Sequence, residues 1–181
     1  MIFSRRWAMP SENTFEIPCV LGFVQRHLEG CTISIDPFSR NNRLATFRND
    51  LNPETSAEYH MESRDFLKML IDKKIKADCI IYDPPYSPRQ ISECYKSSGL
   101  TATMIDTQSS RLKKECKDLF RHLLKRGGKV LSFGWNSVGM GKDFDFLEIM
   151  LVSHGGDHND TICIAQKENT DQTLLFSEES A

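Results

Sequence analysis

The chain is predicted to be an α/β protein built on a mostly parallel sheet. Short apolar runs of strand length alternate with longer segments whose apolar residues recur at helical spacing. That alternation places helices over both faces of a parallel sheet. The last two apolar runs are separated only by the glycine- and aspartate-containing stretch 154–160, which predicts an antiparallel hairpin at the carboxyl end.

In chain order, Phe15, Val20, Phe23, Val24 and Leu28 give residues 13–28 helical spacing, and Gly30 ends the run. Residues 32–35 and 44–47 read as strands, and the polar stretch 52–57 as a loop. Ser63 is placed to cap a helix over 64–73, whose Phe66, Leu67, Leu70 and Ile71 share one face. Residues 79–82 form a buried strand. Residues 87–107 show little periodicity beyond a short helix at 89–95, the pattern of a mobile segment. Ser109 or Ser110 caps a helix through Leu124 that turns Leu112, Cys116, Leu119, Phe120 and Leu123 inward, and Gly127-Gly128 ends it. Strands follow at 129–134, 147–153 and 161–166.

A length of 181 residues suffices for one domain with a sizeable core, and 39% hydrophobic with 27% charged residues is ordinary for a soluble globular chain. No apolar run approaches the roughly 18 residues of a membrane span, and the start Met-Ile-Phe-Ser-Arg-Arg-Trp lacks the apolar core of a secretion signal. The six cysteines are dispersed without a Cys-x-x-Cys pair, so Cys31, Cys79 and Cys163 read as small buried hydrophobes in a reducing cytoplasm. The net charge of −2 is unlike that of a dedicated nucleic-acid binder, but its distribution is uneven. Arg5, Arg6, Arg40, Arg43 and Arg48 form an amino-terminal basic group, and Lys113, Lys114, Arg121, Lys125, Arg126 and Lys129 a second. The second group reads equally as a phosphate-binding face or a solvated helix face, while acid gathers in the tail at Glu168, Asp171, Glu178 and Glu179.

The most informative stretch is Asp83-Pro84-Pro85-Tyr86, directly after the strand 79–82. Two prolines fix two φ angles and remove two backbone donors, and Asp83 is pushed to extended geometry by the proline that follows it. The result is a stiff loop at the carboxyl end of a strand, where open α/β sheets place ligands. It offers an acceptor carboxylate, carbonyls with few competing N–H groups, and a flat ring. Those groups suit an exocyclic amino group on a flat base, with Tyr86 stacking on the base face.

This stretch resembles the catalytic motif of the amino-group DNA methyltransferases, which methylate adenine N6 or cytosine N4 with S-adenosylmethionine. Further segments resemble that family in order, over about residues 7–167, with the small phage-type adenine methyltransferases the most similar. They are Asn13-Thr14-Phe15 before the first helix, Ile35-Asp36-Pro37-Phe38 at the first strand exit, Asn49-Asp50, Met61-Glu62-Ser63, and Gly127-Gly128-Lys129 leading into a strand. The resemblance implies a Rossmann-like S-adenosylmethionine-dependent methyltransferase fold over residues 1–167, with an acidic flexible tail at 168–181. It implies Asp83, Pro84, Pro85 and Tyr86 as catalytic residues and S-adenosylmethionine as cofactor. It implies Phe15, Asp36, Pro37, Phe38, Asp50, Glu62 and Ser63 as cofactor contacts, and DNA as substrate partner. The chain departs from the family after Phe38: a glycine-rich loop is replaced by Ser39-Arg40-Asn41-Asn42-Arg43, where Asn41 or Asn42 is expected to take the left-handed conformation. Cytosine N4, RNA adenine, and a non-catalytic nucleic-acid or clamp-binding module are the alternative functions.

Three other segments carry expectations. His154, Asp157, His158 and Asp160 lie within seven residues, but their spacing fits no metal-ligand pattern and reads as a polar hairpin loop. The loop 134–142 lacks the phosphate-loop pattern because Asp143 follows Lys142; its Trp135 and Asn136 are expected beside the base pocket, or Trp135 in the core. Gln172-Thr173-Leu174-Leu175-Phe176 resembles the short peptides that dock on bacterial sliding clamps, a possible second partner.

Overall fold

A computed structural model describes residues 1–101 and 109–169. Among the described residues seven strands form one sheet: β1 Ile2–Trp7, β2 Ser34–Asp36, β3 Phe47–Arg48, β4 Ala77–Tyr82, β5 Leu124–Gly134, β6 Phe144–Ser153 and β7 Thr161–Glu168. Their order across the sheet is β1-β6-β7-β5-β4-β2-β3. All pairings are parallel except those of β7, which runs antiparallel to both β5 and β6. The mostly parallel sheet with a carboxyl-terminal hairpin is therefore observed, and the architecture is Rossmann-like.

Helices cover both faces. The helix α1 Pro18–Leu28 buries Val20, Phe23 and Val24 against Ile81, Leu131, Met150 and Val152. On the opposite face, α2 Ser63–Asp72 and α4 Ser109–Leu123 bury Phe66, Leu67, Leu70, Cys116, Phe120 and Leu123 against Ile80, Tyr82 and Val130. One short helix, α3 Pro88–Ser97, follows the acid–diproline loop; the Ser87 side chain accepts from the Gln90 N–H at 3.2 Å and Pro88 occupies the first turn.

Several expectations shift. The run 13–28 is broken: a 3₁₀ turn at Thr14–Glu16 ends at Ile17, and the α-helix begins at Pro18, which has no N–H to donate. The α2 cap is Glu62, not Ser63; its carboxylate accepts the Arg64 N–H at 2.8 Å, and Ser63 is the first helical residue. Gly127-Gly128 does not end a helix. Helix α4 stops at Leu123 and the chain passes straight into β5, where both glycines lie at a register irregularity and Gly127 has φ +73°. A Cβ on Gly127 would come within 2.8 Å of the Lys167 side chain. Strand β1 was not expected. It lies at the sheet edge with nearly every residue exposed, so no alternation of burial marks it in the sequence.

All six cysteines are free thiols; Cys79 and Cys163 are buried as expected, whereas Cys31 is only half-buried. Among the described residues no helix is long and apolar enough to cross a membrane. The clamp-like segment Gln172–Phe176 lies outside the described residues, as does part of the expected mobile stretch 87–107.

Candidate functional site

Strands β2 and β4 are parallel neighbours, with Ser34 opposite Cys79 and Ile35 opposite Ile80. The chain leaves β2 toward β3 on one side, and β4 toward β5 on the other. This is a topological switch point, and the two strand exits diverge around a crevice at the carboxyl edge. Asp36 ends β2, and Asp83 follows the end of β4.

The β2 exit is organised around Asp36, which has no exposed surface. One carboxylate oxygen accepts the Phe38 N–H at 2.9 Å, and the other accepts the Asn42 side-chain amide at 3.1 Å. Burial pushes the Asp36 pKa up to about 7; the two hydrogen bonds oppose this, and the charges of Asp83 and Asp50 add to it. The left-handed residue of this loop is Arg40, with φ +50°, and not Asn41 or Asn42. Its N–H donates to Asp50 Oδ2 at 3.0 Å, while Asp50 Oδ1 accepts from the Asn52 N–H at 2.9 Å. Asn49 is a buried strut: its amide donates to the carbonyls of Pro37 and Met61, and its oxygen accepts the Met61 N–H.

Three cavities meet around the β4 exit. The first, about 290 Å³, is lined by Thr14, Phe15, Phe38, Arg40 and Asp83. A second, of only about 60 Å³, lies between Phe38, Asp50 and Glu62 on one side and Ile91, Cys94 and Tyr95 of α3 on the other. The third, about 270 Å³, is lined by Pro84, Pro85, Tyr86, Ser132, Trp135 and Asn136. The loop Asp83-Pro84-Pro85-Tyr86 is thus the wall between them: Asp83 faces the first, Pro85 borders the second and third, and Tyr86 faces the third.

The Tyr86 hydroxyl donates to Asp83 Oδ1, and the Tyr86 N–H is held by Gln90 Oε1 at 2.7 Å. Burial raises the Asp83 pKa; hydrogen bonds from Tyr86 and Thr14 and the charge of Arg40 restrain the rise. On the wall of the third cavity the Tyr86 ring packs against that of Trp135, with centroids 5.4 Å apart and planes inclined at 57°. Phe15, in the first cavity, packs edge-on against Phe133 at 5.1 Å.

Of the sequence-predicted contacts, Phe15, Phe38 and Asp83 line the first cavity, and Pro37, Phe38, Asp50, Glu62 and Ser63 line the second. Asp36 lines none of the three; its carboxylate is committed to its own loop. Glu62 caps α2 and also bonds the Arg64 guanidinium at 3.0 Å. Trp135 and Asn136 stand at the third cavity.

Sequence reading missed the polar floor of that cavity. Tyr82 and Ser132 are register partners on β4 and β5, and both hydroxyls are buried; the Tyr82 hydroxyl faces the Cys116 thiol, and that of Ser132 has no hydrogen-bond partner. A buried orphan hydroxyl such as that of Ser132 is uncommon and calls for a ligand, a water or strain. Their alternation in the strands marks them as inward-facing, but what each hydroxyl meets exists only in three dimensions. Lys113 also lines this cavity, and burial lowers its pKa. Of the second basic group, Lys114, Arg121 and Lys125 are bound to Asp118, Asp143 and Asp78, as on a solvated face. The hairpin loop is structural: His154 reaches the Ala8 carbonyl and the Thr161 hydroxyl, each at 2.9 Å, through its two ring nitrogens. Among the described residues no three His, Cys, Asp or Glu side chains are grouped to hold a metal ion.

No family model and no curated protein matches the chain. Solved structures do. The candidate methyltransferase yhhF from Escherichia coli superposes with a TM-score of 0.56 at 9% identity, over 90% of this chain and 91% of that one. The two share a fold. SMU.776, a candidate methyltransferase complexed with SAH, matches at a TM-score of 0.44 and 14% identity, over 60% of this chain. A candidate SAM-dependent methyltransferase from Streptococcus mutans matches at 0.37 and 12%, also over 60% of this chain. The present chain spans 30% of the length of each of the last two.

Proposed function

We propose that this chain is an S-adenosylmethionine-dependent methyltransferase acting on the exocyclic amino group of a nucleobase, adenine N6 in DNA foremost. The observation that carries the reading is the partition at residues 83–86. One stiff loop presents a carboxylate to one cavity and an aromatic face to the next, so reactants held in the two cavities would meet across it. The shared fold with yhhF, itself described as a candidate methyltransferase, supports the reaction class.

The residues around the first two cavities fit the cofactor chemically. Phe15 and Phe38 provide apolar surface, and Asp50 and Glu62 supply negative charge that suits a cationic cofactor. The first cavity, near 290 Å³, reaches the lower end of the roughly 300–1,000 Å³ typical of ligand sites. When bound, S-adenosylmethionine supplies an electrophilic methyl group. Everything else falls to the protein. Asp83 and the Pro84 carbonyl accept the two N–H bonds of the amine, drawing its lone pair out of conjugation with the ring. Tyr86 stacks on the base face, with Trp135 packed beside its ring. Asp83, its pKa raised by burial, is placed to receive the proton released from nitrogen. The rate then comes chiefly from positioning and fixed electrostatics. A base reaches such a cavity only after leaving the helical stack.

The alternative of a non-catalytic binding module draws on one observation, the 60 Å³ volume left beside Asp50 and Glu62. Calorimetric titration with S-adenosylmethionine separates the two, since the module gives no heat. The deciding experiment incubates the protein with labelled cofactor and with DNA and RNA, followed by nucleoside mass spectrometry. Methyl-adenine in DNA is expected, and Asp83→Ala abolishes it while largely sparing cofactor binding. Near-normal turnover in that variant overturns the assignment.

A further inference from the structure

Arg40 has a left-handed backbone of the kind that glycine adopts without a steric cost. Its φ of +50° lies in the left-handed region, which disfavours any residue with a Cβ. Such residues persist only where the surroundings over-determine them, and they cluster at ligand sites. Here the backbone is held by the Arg40 N–H on Asp50 Oδ2, and the side chain extends so that Nη1 donates to the Glu12 carbonyl at 2.7 Å. The guanidinium has five N–H donors. Among the described residues, Nη1 on Glu12 is its one side-chain hydrogen bond, and the residue is otherwise exposed to solvent. It lines the 290 Å³ cavity with Arg43, and Glu16 and Asp83 line the same space. Its charge reaches Asp83 and helps to hold that carboxyl down. A cavity carrying two cations and two carboxylates matches a zwitterion.

We infer that the Arg40 guanidinium receives the carboxylate of the cofactor's amino-acid portion, supplying by side-chain charge what a glycine-rich loop supplies by close backbone approach. The inference rests on the reading of this cavity as the cofactor's. A guanidinium fork matches a carboxylate in geometry, and such charge-assisted pairs are stronger than neutral hydrogen bonds. No proton or bond changes hands.

The test is calorimetric titration of the full chain with S-adenosylmethionine, S-adenosylhomocysteine and decarboxylated S-adenosylmethionine. Wild type is compared with Arg40→Ala, Arg40→Gly and Arg40→Lys, and a thermal melt of each confirms folding. The unsubstituted protein is expected to prefer the two carboxylated ligands. Arg40→Ala and Arg40→Gly weaken those two by about 10- to 100-fold, as for a hydrogen-bonded charge pair, and leave the decarboxylated ligand unchanged. Arg40→Lys retains part of the preference. Two results overturn the inference alone: a preference for carboxylated ligands that survives in Arg40→Ala, or tighter S-adenosylmethionine binding by Arg40→Gly, which makes Arg40 an obstruction. Failure of the unsubstituted protein to bind any of the three overturns the cofactor reading and this inference together.

Discussion

Tyr86 donates its hydroxyl proton to Asp83 within a single four-residue loop. The acid that the proposed chemistry uses as an acceptor therefore already has one of its acceptor sites filled, by the ring expected to stack on the substrate. Burial raises the Asp83 pKa, and the Tyr86 bond is the first of the effects that restrain it. Burial, then the charge of Asp83 and this same bond, raise the Tyr86 hydroxyl well above its ordinary range, so it stays a donor at neutral pH.

Tyr86→Phe keeps the ring and removes the donor. The Asp83 pKa then rises further, and the carboxylate form is lost at a higher pH. A pH profile of kcat/KM is expected to show its acid limb displaced upward, with substrate KM changed little. Tyr86→Ala instead loses the stacking surface, worth about 1–3 kcal/mol, and shows as a raised KM. An unmoved acid limb in Tyr86→Phe contradicts the assignment of that limb to Asp83.

Asp36 makes folding stability depend on pH. Its folded pKa is about 7 against an ordinary value of 3.8, so between these values the folded state holds more protons than the unfolded state. Stability contributed by the neutral form is complete below about pH 4 and is lost as the pH rises through 7. Asp36→Asn removes this titration while its amide oxygen still accepts the Phe38 N–H; the acceptor for Asn42 is lost as a constant offset. His27 titrates in an overlapping range with the opposite sign, because burial lowers its pKa. The informative quantity is therefore the difference between wild type and variant. Urea unfolding at intervals from pH 4 to 8 is expected to show Asp36→Asn gaining on wild type with rising pH, by at most on the order of 4 kcal/mol. A pH-independent difference means that Asp36 ionises normally in the folded protein.

Helix α3 is expected to yield to an adenosine-containing ligand. Ile91 is 2% exposed and, with Cys94 and Tyr95, reduces the space beside Asp50 and Glu62 to about 60 Å³. That is far below the roughly 300 Å³ at which ligand sites begin. Hydrogen exchange of residues 88–97 is expected to quicken when S-adenosylhomocysteine binds, while the amides of β4 and β5 do not change. Binding with α3 unaltered would show that the ligand's adenosine lies elsewhere.

Much of this arrangement was legible in the residues themselves. Apolar periodicity located α1, α2, α4 and the inner strands, because each buries one face or both and burial dictates residue type. The acid–diproline–tyrosine loop was legible because prolines act locally, fixing φ and removing donors wherever the chain places them. Ser63 was misjudged as a cap by one residue because serine and glutamate can both accept an N–H, and only the backbone dihedral at Glu62 decides which stands outside the helix. The glycine pair was misread because a glycine signals positive φ without saying whether a helix cap or a strand irregularity requires it.

The residue sequence by itself determined an alternating fold, a stiff acidic corner after an inner strand, and a loop without glycine where glycine is usual. Tertiary structure alone decided which groups the corner separates, that Asp36 is committed to its own loop, that Arg40 carries the left-handed turn, and that Ser132 buries a hydroxyl without a partner beside Tyr82. The physical reason is range. Dihedral limits and hydrophobic periodicity act between near neighbours along the chain. Burial, charge pairing and hydrogen-bond satisfaction depend on groups such as Asp36 and Asp83, which meet only when two parallel strands end side by side.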